Sequence, residues 1–286
     1  MNAIIMAAGT ASRFVPLSVE TPKGLLEVRG EILIERQIKQ LIEAGITDIT
    51  LVLGYKAEMF RYLSCKYGVQ LVYNEDYKVY NNSSSMIRVV DRLEDTFICC
   101  SDHFFSKNVF LDKTEDSYYG SLYAKGETNE YCLQLDKDNW ITGVQIGSRD
   151  SWYMAGHVYF NKDFSTKFRE IFVAEYKKET TRMGYWEDVY INHLTCLPMK
   201  ARKYEDGIIN EFDSIDELRI FDTSYISNTR SNILKGICCK LTCEEKDLSN
   251  FTRIKHIGDY LLFSFKRGEG VFIFDGRDSS IKSNCL

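Results

Sequence analysis

The sequence has no long apolar run, no excess of basic residues and no low-complexity linker, and each absence excludes a class of protein. No apolar stretch approaches the roughly 20 residues that a membrane-spanning helix needs, so an integral membrane protein is excluded. Acidic residues outnumber basic ones by 41 to 36, which gives a net charge of −5 and disfavours a nucleic-acid partner. Apolar residues at 44% and charged residues at 27% are ordinary for a globular protein. A length of 286 residues suits one large domain, with or without a small appendage.

The sequence contains nine cysteines, but none of them form the Cys-x-x-Cys spacing typical of a zinc site. The adjacent Cys99 and Cys100 end an apolar stretch that predicts a buried strand, where a free thiol behaves as a small apolar group. We therefore expect reduced structural thiols in a cytoplasmic protein, and a redox or metal role is the alternative. The first residues also lack the basic region of a secretory signal, which favours the cytoplasm as well.

Segments of strand type and helix type alternate along the first hundred residues. Short apolar runs typical of buried strands occur at 2–7, 49–53, 70–73 and 96–100. Helical spacing occurs at 32–44, 57–67 and 86–93. This alternation favours an α/β fold, a Rossmann-like αβα sandwich with a mainly parallel mixed sheet. Ligands of such sheets bind at the carboxyl ends of the strands, where the loops gather.

The pattern changes twice in the rest of the chain. Residues 118–160 combine short strands, many aromatics and turn signals at 136–139 and 147–148, which predicts antiparallel strands that wall an acceptor site. Helices are predicted at 162–178, at 187–194 and, after a cap at Asp213 or Ser214, at 213–221. Toward the C-terminus, a helix and a β-meander predict a small α+β appendage. We therefore divide the chain into a domain at 1–228 and an appendage at 229–286.

The loop after the first strand has the composition of an anion-binding loop. It comprises small residues at 7–12 followed by Arg13, and Lys23 comes soon after. Small residues let backbone N–H groups approach a polyphosphate, while Arg13 and Lys23 supply charge that does not titrate near pH 7. The spacing matches neither the Walker A motif nor the dinucleotide-binding Gly-x-Gly-x-x-Gly. Taken alone, the loop also fits a plain tight turn.

The full string is Ala-Ala-Gly-x-x-Ser-Arg, then Pro-Leu, then Thr-Pro-Lys-Gly-Leu-Leu-Glu-Val. It resembles the signature of the nucleotidyltransferases that make activated sugars and alcohols, although Ala11 stands where that signature often has a second glycine. The resemblance implies a bound nucleoside triphosphate, with Arg13 on the triphosphate, Lys23 near the α-phosphate and acceptor, and backbone at 7–9 on the base. The nucleotide-binding residues that it implies in this region are Ala7, Ala8, Gly9, Thr10, Ser12, Arg13 and Lys23.

Four further strings are Tyr-Asn-Glu-Asp-Tyr from Tyr73, Tyr-Asn-Asn-Ser from Tyr80, Cys-Ser-Asp-His from Cys100 and Tyr-Trp-Glu-Asp from Tyr185. They narrow the resemblance to the bacterial CTP:phosphocholine cytidylyltransferases and their relatives that activate aminoethylphosphonate. The likeness covers roughly residues 1–222. It implies that Asn81 and Ser83 contact the nucleotide and that Asn82 contacts the acceptor.

Three carboxylates are candidates for a magnesium site. Asp102 follows a predicted buried strand, and Glu187 and Asp188 begin a predicted helix. Mg²⁺ takes carboxylate oxygens alongside phosphates, so residue type and resemblance together predict Mg²⁺ as the cofactor. The alternatives are a surface turn for Asp102 and helix capping for one of the other two. The family has Asp where this chain has Glu187, so either Glu187 or Asp188 could reach the ion.

His103, beside Asp102, fits a neutral hydrogen-bonding role better than that of a general base. An acceptor phosphate has a second pKa near ~6 and is already ionised at neutral pH, so no base is needed.

Tyr131, Tyr185 and Glu211 match positions that line the choline pocket in the family. Aromatic rings hold quaternary ammonium ions through cation–π attraction, and an acidic residue adds opposite charge. The family often has Trp at the position of Tyr131, and Tyr suits a smaller primary amine as well as choline. Ordinary packing is the alternative for any single aromatic.

We therefore predict a Mg²⁺-dependent cytidylyltransferase that transfers CMP from CTP to phosphocholine, with Lys23, Arg13 and Asp102 as catalytic residues. The alternatives are 2-aminoethylphosphonate or phosphoethanolamine as acceptor, a sugar-1-phosphate nucleotidyltransferase, and a catalytically silent nucleotide-binding protein. The appendage at 229–286 faintly resembles the start of a choline-kinase-type domain. Its alternative role is packing within the chain or dimerisation, and only dimerisation predicts a homodimer.

Overall fold

The computed structural model describes residues 1–111, 114–257 and 260–283. The chain forms two compact units, each built from two segments. The first unit comprises Met1–Gly9 and Ile34–Asn210, and the second unit comprises Thr10–Leu33 and Glu211–Leu286.

The structure contains fifteen strands and ten α-helices within the described residues. The strands are β1 Asn2–Ala7, β2 Glu27–Val28, β3 Glu31–Ile32, β4 Ile49–Leu53, β5 Gln70–Tyr73, β6 Thr96–Cys100, β7 Phe104–Phe105, β8 Tyr118–Leu135, β9 Ile141–Phe160, β10 Lys200–Lys203, β11 Ile209–Asn210, β12 Leu248–Ile257, β13 Tyr260–Arg267, β14 Gly270–Asp275 and β15 Ser280–Ser283. The α-helices are α1 Leu17–Glu20, α2 Leu33–Glu43, α3 Tyr62–Tyr67, α4 Ser83–Met86, α5 Lys162–Glu175, α6 Glu179–Met183, α7 Trp186–Asn192, α8 Ile215–Phe221, α9 Ser224–Ser227 and α10 Asn232–Leu241. Short 3-10 turns lie at Lys23–Leu25, Ala57–Phe60, Val90–Arg92 and Glu245–Asp247.

A seven-stranded sheet forms the centre of the first unit, in the order β10-β8-β9-β6-β1-β4-β5. β1 pairs parallel to both β4 and β6, and β4 pairs parallel to β5. β9 runs antiparallel to β6 and β8. The apolar run of β1 reflects burial on both faces, since Ala3, Ile4 and Ile5 have no exposed surface. The predicted α/β fold with a mainly parallel mixed sheet is confirmed.

Residues 118–160 form two long strands rather than the several short ones that the sequence predicts. β8 and β9 have 18 and 20 residues and pair antiparallel. Residues 136–139 close this hairpin, where the Asp136 carboxylate accepts two backbone N–H bonds. The second predicted turn lies inside β9, where Gly147 has a φ of +78° beside an irregularity in the strand pairing. The pairing irregularity thus accommodates turn-like residues within one continuous strand.

Caps and β-branched residues set helix boundaries that the apolar spacing alone does not give. α10 begins after Ser231, whose Oγ accepts a hydrogen bond from the Leu234 amide at 3.0 Å. The predicted continuous helix at 86–93 is wrong, because α4 ends at Met86 and Val89 leaves the helical region with a φ of −127°. β-Branched side chains lose rotamer freedom in a helix, which weakens a short helix that contains two of them in succession.

An aromatic core fixes the start of α7 against the sheet. Phe160 packs with Phe164 and Phe168 of α5 at ring-centroid distances of 4.4 and 5.1 Å. Trp186, the first residue of α7, makes edge contacts with Phe160 and Phe168 at 5.7 and 5.8 Å. All four side chains are buried, and each such aromatic pair contributes about 0.5–1.5 kcal/mol beyond its buried area. This packing positions the two acidic residues that follow Trp186.

The second unit contains the α+β elements predicted for the appendage, helix α10 and the meander β12-β13-β14-β15. Residues 10–33 belong to this unit, where the Tyr225 hydroxyl donates to the Glu27 carbonyl at 2.7 Å. The buried Arg219 guanidinium donates to the Leu248 carbonyl at the start of β12 and to the Glu245 carbonyl in the 3-10 turn before it. The compact units therefore follow a different division from the predicted boundary after residue 228, which stays a prediction about domains.

Across the described parts of the chain, none of the helices combines the length and apolar character needed to cross a bilayer. All eight cysteines in those parts are free, and Cys285 lies outside the described residues. Burial raises the pKa of the Cys99 thiol well above its usual range. A thiol held protonated in this way is unreactive, which is the behaviour expected of a structural cysteine.

Candidate active site

The N-terminus of α7 carries the predicted acidic pair, and a local hydrogen-bond pair fixes Asp188 there. Asp188 Oδ2 accepts a hydrogen bond from the Tyr185 amide at 2.7 Å, and the Asp188 amide donates to the Tyr185 carbonyl at 3.1 Å. An acidic side chain in the first helical turn also complements the helix dipole. The helix-capping alternative therefore accounts for one oxygen of Asp188.

Glu187 lies beside Asn82 and Tyr119, which are both neutral donors. Asn82 Nδ2 donates to Oε2 at 3.0 Å, and the Tyr119 hydroxyl donates to Oε1 at 3.3 Å. Although the residue as a whole keeps some exposed surface, burial of its carboxylate raises the pKa of Glu187 to about 7. Removal from water disfavours the charged form, and the two neutral hydrogen bonds only partly offset this.

Asn82 connects its loop to α7 through both ends of its amide. Its Oδ1 accepts a hydrogen bond from the Trp186 amide at 2.9 Å, while its Nδ2 contacts Glu187. The side chain predicted to contact the acceptor thus bonds two residues of α7 in this structure, and its contact with the acceptor stays a prediction. Nothing in the sequence around Asn82 indicates this long-range pairing.

Tyr131 and Tyr185 form an edge-to-face aromatic pair, with ring centroids 6.3 Å apart and planes at 79°. The Tyr131 hydroxyl donates to Asp188 Oδ1 at 3.2 Å. Burial, followed by the charge of Asp188, raises the pKa of Tyr131 to about 12. Tyr185 is 44% exposed, so part of its ring is open to a ligand. We call Tyr131, Tyr185, Glu187 and Asp188 the acidic–aromatic corner.

Asn81 and Ser83, predicted to contact the nucleotide, lie at the start of α4. Asn81 Oδ1 accepts a hydrogen bond from the Asn82 amide at 2.8 Å. Ser83 is fully buried, and within the described residues its Oγ has no hydrogen-bond partner. A buried hydroxyl without a partner is costly, so this atom suits a ligand group or an ordered water.

Asp102 lies in the turn that follows β6, at the carboxyl end of a strand neighbouring β1. Gln37 Nε2 holds the turn by donating to the carbonyls of Cys100 and His103, both at 2.9 Å. The potential ligand atoms of Cys100, Asp102 and His103 all lie within 4.8 Å of one another. Sequence reasoning placed Asp102 at this end of the sheet but did not find Gln37, whose partners come from a distant strand.

The opening loop divides between the two units. In the first unit, Ala7 and Ala8 are buried at the end of β1, and the Tyr55 amide donates to the Ala8 carbonyl at 3.1 Å. In the second unit, Thr10 and Ser12 are exposed, and Ala11 has a φ of +44°. A left-handed backbone at Ala11 explains why the family signature often has glycine there.

In the second unit, two cations pair with two carboxylates. Arg13 Nη1 lies 2.8 Å from Asp213 Oδ2, and Lys23 Nζ lies 3.6 Å from Glu211 Oε1. Lys23 is 8% exposed, whereas the Arg13 side chain is 75% exposed. Burial and the nearby charge of Glu211 raise the pKa of Asp213, which Arg13 and Lys23 oppose. We call these four residues the charge cluster.

Asp213 is a member of the charge cluster that the sequence analysis considered only as a helix cap. Ser214 is the cap of α8, since its Oγ accepts a hydrogen bond from the Glu217 amide at 3.1 Å. The signal that could have found Asp213 is the Glu-x-Asp spacing after a short strand, which places both carboxylates on one side of the chain. Glu211, predicted for the acceptor pocket, faces Lys23 here.

The carboxylates fit a hard divalent cation. Mg²⁺ usually binds one or two carboxylates and completes its shell with water and phosphate oxygens. The donors to Glu187 are neutral, so a cation would supply the opposite charge that favours its ionised form. The mutual repulsion of Glu211 and Asp213 would be relieved by a cation in the same way. Two acidic pairs therefore suit magnesium, Glu187 with Asp188 and Glu211 with Asp213.

Comparison with known proteins identifies close relatives for most of the chain. Residues 3–118 match the MobA-like NTP transferase domain family. The chain is 36% identical over 234 residues to a 2-aminoethylphosphonate cytidylyltransferase of Lancefieldella rimae, covering 80% of this chain and 95% of that protein. It is 32% identical over 219 residues to a choline-phosphate cytidylyltransferase of Streptococcus pneumoniae, covering 77% and 96%.

A solved structure agrees with these relatives. The CTP:phosphocholine cytidylyltransferase LicC of Streptococcus pneumoniae matches with a TM-score of 0.75 at 32% identity, over 78% of this chain and 98% of that one. The fold is thus that of a nucleotidyltransferase, as the opening loop predicts. The chain belongs to the family of bacterial cytidylyltransferases that includes these relatives. The predicted resemblance and enzyme class are confirmed, while the relatives differ in their acceptors.

Proposed function

We propose that the protein transfers CMP from CTP to phosphocholine, giving CDP-choline and pyrophosphate. The acidic–aromatic corner carries this proposal. A phosphorylated alcohol with a cationic end needs aromatic surface and negative charge together, and Tyr131 and Tyr185 flank two carboxylates. Each of the four carboxylate oxygens already accepts a hydrogen bond. A trimethylammonium group needs no hydrogen-bond acceptor, so the aromatic rings and the negative charge of the corner suffice to hold it.

The reaction requires two anions to approach each other, and the cationic residues supply the opposite charge. An acceptor phosphate oxygen attacks the α-phosphorus of CTP in line, the bond to the β-phosphate oxygen breaks, and pyrophosphate leaves. The acceptor is already ionised, so no side chain has to remove a proton. We assign Lys23 to the α-phosphate and Arg13 to the triphosphate tail, where fixed positive charge stabilises the transition state.

Magnesium would be held by Asp102 with Glu187 or Asp188, and it would supply charge neutralisation and orientation of the phosphates. Glu211 and Asp213 are a second acidic pair that could take part. The magnesium concentration for half-maximal activity distinguishes the pairs when it is measured in E187Q and D213N. The variant that needs markedly more magnesium identifies the residue that holds the ion.

2-Aminoethylphosphonate is the second candidate acceptor. The relative at 36% identity is named for it, and Tyr131 stands where the phosphocholine enzymes often have Trp. A smaller ring leaves room for hydrogen bonds to a primary ammonium. This candidate requires the same CTP chemistry and changes only the cationic end of the acceptor.

The test is pyrophosphate release with magnesium, in which CTP, UTP, ATP and GTP are crossed with four acceptors. The acceptors are phosphocholine, phosphoethanolamine, 2-aminoethylphosphonate and glucose-1-phosphate. Turnover with CTP and phosphocholine supports the proposal, and preference for 2-aminoethylphosphonate supports the second candidate. Turnover with glucose-1-phosphate alone contradicts the role of the aromatic corner. CTP binding without turnover in any combination contradicts an enzymatic role.

A further inference from the structure

We propose that Cys100, Asp102 and His103 form a binding site for a thiophilic divalent cation such as Zn²⁺. The three residues lie in one turn after β6, and their potential ligand atoms lie within 4.8 Å of one another. Ligand atoms around a tetrahedral zinc ion are separated by about 3.3–3.8 Å. Cys100 and Asp102 keep exposed surface, so an ion can reach both side chains from solvent. The ligand atoms have to approach one another by at most about 1.5 Å when it binds.

The surrounding structure holds this turn in place. Gln37 Nε2 donates to the carbonyls of Cys100 and His103, which fixes the backbone at two of the three ligands. Gly156 of β9 lies against the side chains of His103 and Cys100. A Cβ atom there would come within 2.8 Å of His103 Cε1 and 3.2 Å of Cys100 Sγ. The absence of a side chain at Gly156 therefore lets strand β9 pack directly on the imidazole and the thiol.

The donor set differs from one suited to magnesium. Mg²⁺ prefers oxygen ligands in octahedral geometry, whereas thiolate and imidazole select zinc and similar ions. Three protein ligands leave one position of a tetrahedral zinc ion for water or a phosphate oxygen. Binding releases the proton of the Cys100 thiol to solvent, since the thiolate is the ligand.

The position of Asp102 gives this site a consequence for activity. Asp102 is assigned to magnesium in the proposed function, so a zinc ion on the same carboxylate would exclude magnesium and inhibit turnover. This consequence rests on the proposed function, whereas zinc binding itself does not. Micromolar zinc is therefore expected to inhibit even with millimolar magnesium present, because soft ligands favour zinc over magnesium.

Binding is tested on the full chain without nucleotide. Co²⁺ titration should give the near-ultraviolet charge-transfer absorption of a thiolate–cobalt bond, and Zn²⁺ should displace it. C100S should lose this absorption and bind Zn²⁺ at least about tenfold more weakly, the loss that removal of even a hydrogen-bond partner of a ligand causes. C196S, which changes an exposed cysteine of the same unit, should match the wild type. Equal zinc affinity in C100S and the wild type overturns the proposal.

A measurement on the wild type decides the question even where C100S folds poorly. Zn²⁺ should slow alkylation of Cys100 by iodoacetamide, with Cys196 unaffected, as mapped by peptide mass spectrometry. Unchanged labelling of Cys100 at saturating zinc contradicts the site. In turnover assays, zinc inhibition should weaken in C100S relative to the zinc-free rate of the same variant. Absence of turnover would contradict the proposed function and leave the binding and labelling results to judge the zinc site.

Discussion

The acidic–aromatic corner and the charge cluster use carboxylates in opposite ways. In the corner, Glu187 and Asp188 accept hydrogen bonds from neutral donors, and burial holds the pKa of Glu187 near 7. In the cluster, carboxylates pair directly with Arg13 and Lys23. The corner thus holds negative charge that a cation would stabilise. The cluster holds positive charge that its own carboxylates partly neutralise.

This difference in charge pairing indicates which kind of ligand the corner and the cluster each favour. A cationic ligand or metal ion gains most binding free energy in the corner, because its charge would offset the unfavourable desolvation of the Glu187 carboxylate. An anionic ligand in the cluster has to replace carboxylates that already contact the cations, so net binding energy there is smaller than the number of cations indicates. Substitutions in the cluster should therefore act on turnover and CTP binding. Substitutions in the corner should act on stability, on acceptor choice and, through Glu187 or Asp188, on the magnesium that turnover requires.

The largest effect is expected for the buried cation of the cluster. K23A should lower kcat by about 10²–10³-fold, because removal of one preorganised charge from a transition state costs roughly that much. D102N should cause a loss of similar size. Steady-state kinetics with CTP and the preferred acceptor measure both. K167A, which removes an exposed lysine from α5, is the control, and near-normal turnover in K23A would remove Lys23 from the mechanism.

In the corner, E187Q should stabilise the metal-free protein in a pH-dependent manner. The folded pKa of about 7 lies above the ordinary value of 4.5, so the folded protein holds a proton there that the unfolded chain has lost. Wild-type stability therefore falls as pH rises from 4.5 to 7, and stays low above it. The increase in the free energy of unfolding of E187Q over the wild type should grow through this pH range to at most about 3 kcal/mol.

Urea unfolding in EDTA at several pH values measures this gain. A difference between E187Q and the wild type that does not change with pH would show that the carboxylate is not desolvated. The corner would then resemble the charge cluster rather than contrast with it.

R13A should have a smaller effect than K23A, because the Arg13 side chain is 75% exposed and water screens its charge. We expect the KM for CTP to rise about tenfold, equivalent to roughly 1.4 kcal/mol, with kcat little changed. The increase should shrink as salt is added. R149A, which removes another exposed arginine, serves as the control, and a kcat loss as large as that of K23A would contradict the ranking.

The smallest effect is expected for Y131F, which keeps the ring and removes only the hydroxyl bonded to Asp188. Loss of one hydrogen bond to a carboxylate costs up to about 1.5–3 kcal/mol of stability, and less at this partly exposed position. It should leave the KM for phosphocholine within a few-fold. Y131A, which removes the ring, should raise that KM further while sparing the KM for CTP. Y123A is the matched control, since Tyr123 is also partly exposed on β8. Equal KM values for phosphocholine in Y131A and Y123A would show that Tyr131 does not contact the acceptor.

Local sequence features predicted the strands of the parallel sheet and the enzyme class. β1, β4, β5 and β6 have the predicted bounds, because a strand buried on both faces has a short apolar run that depends on few neighbours. The long hairpin β8–β9 was predicted less well, since a turn-like Gly147 within a strand cannot be distinguished from a true turn without its partner strand.

Tertiary structure alone decided which side chains meet. Asn82 and Glu187 are 105 residues apart in sequence, and Gln37 lies 63 residues from Cys100, so no spacing rule pairs them. The raised pKa of Glu187 and the pairing of Lys23 with Glu211 also follow from burial and proximity. The sequence by itself determined the fold class and the nucleotide chemistry, because apolar periodicity and a contiguous loop motif are local. Only the folded chain decided the partners and the charge state of each carboxylate, because desolvation and Coulomb interactions depend on distances in space.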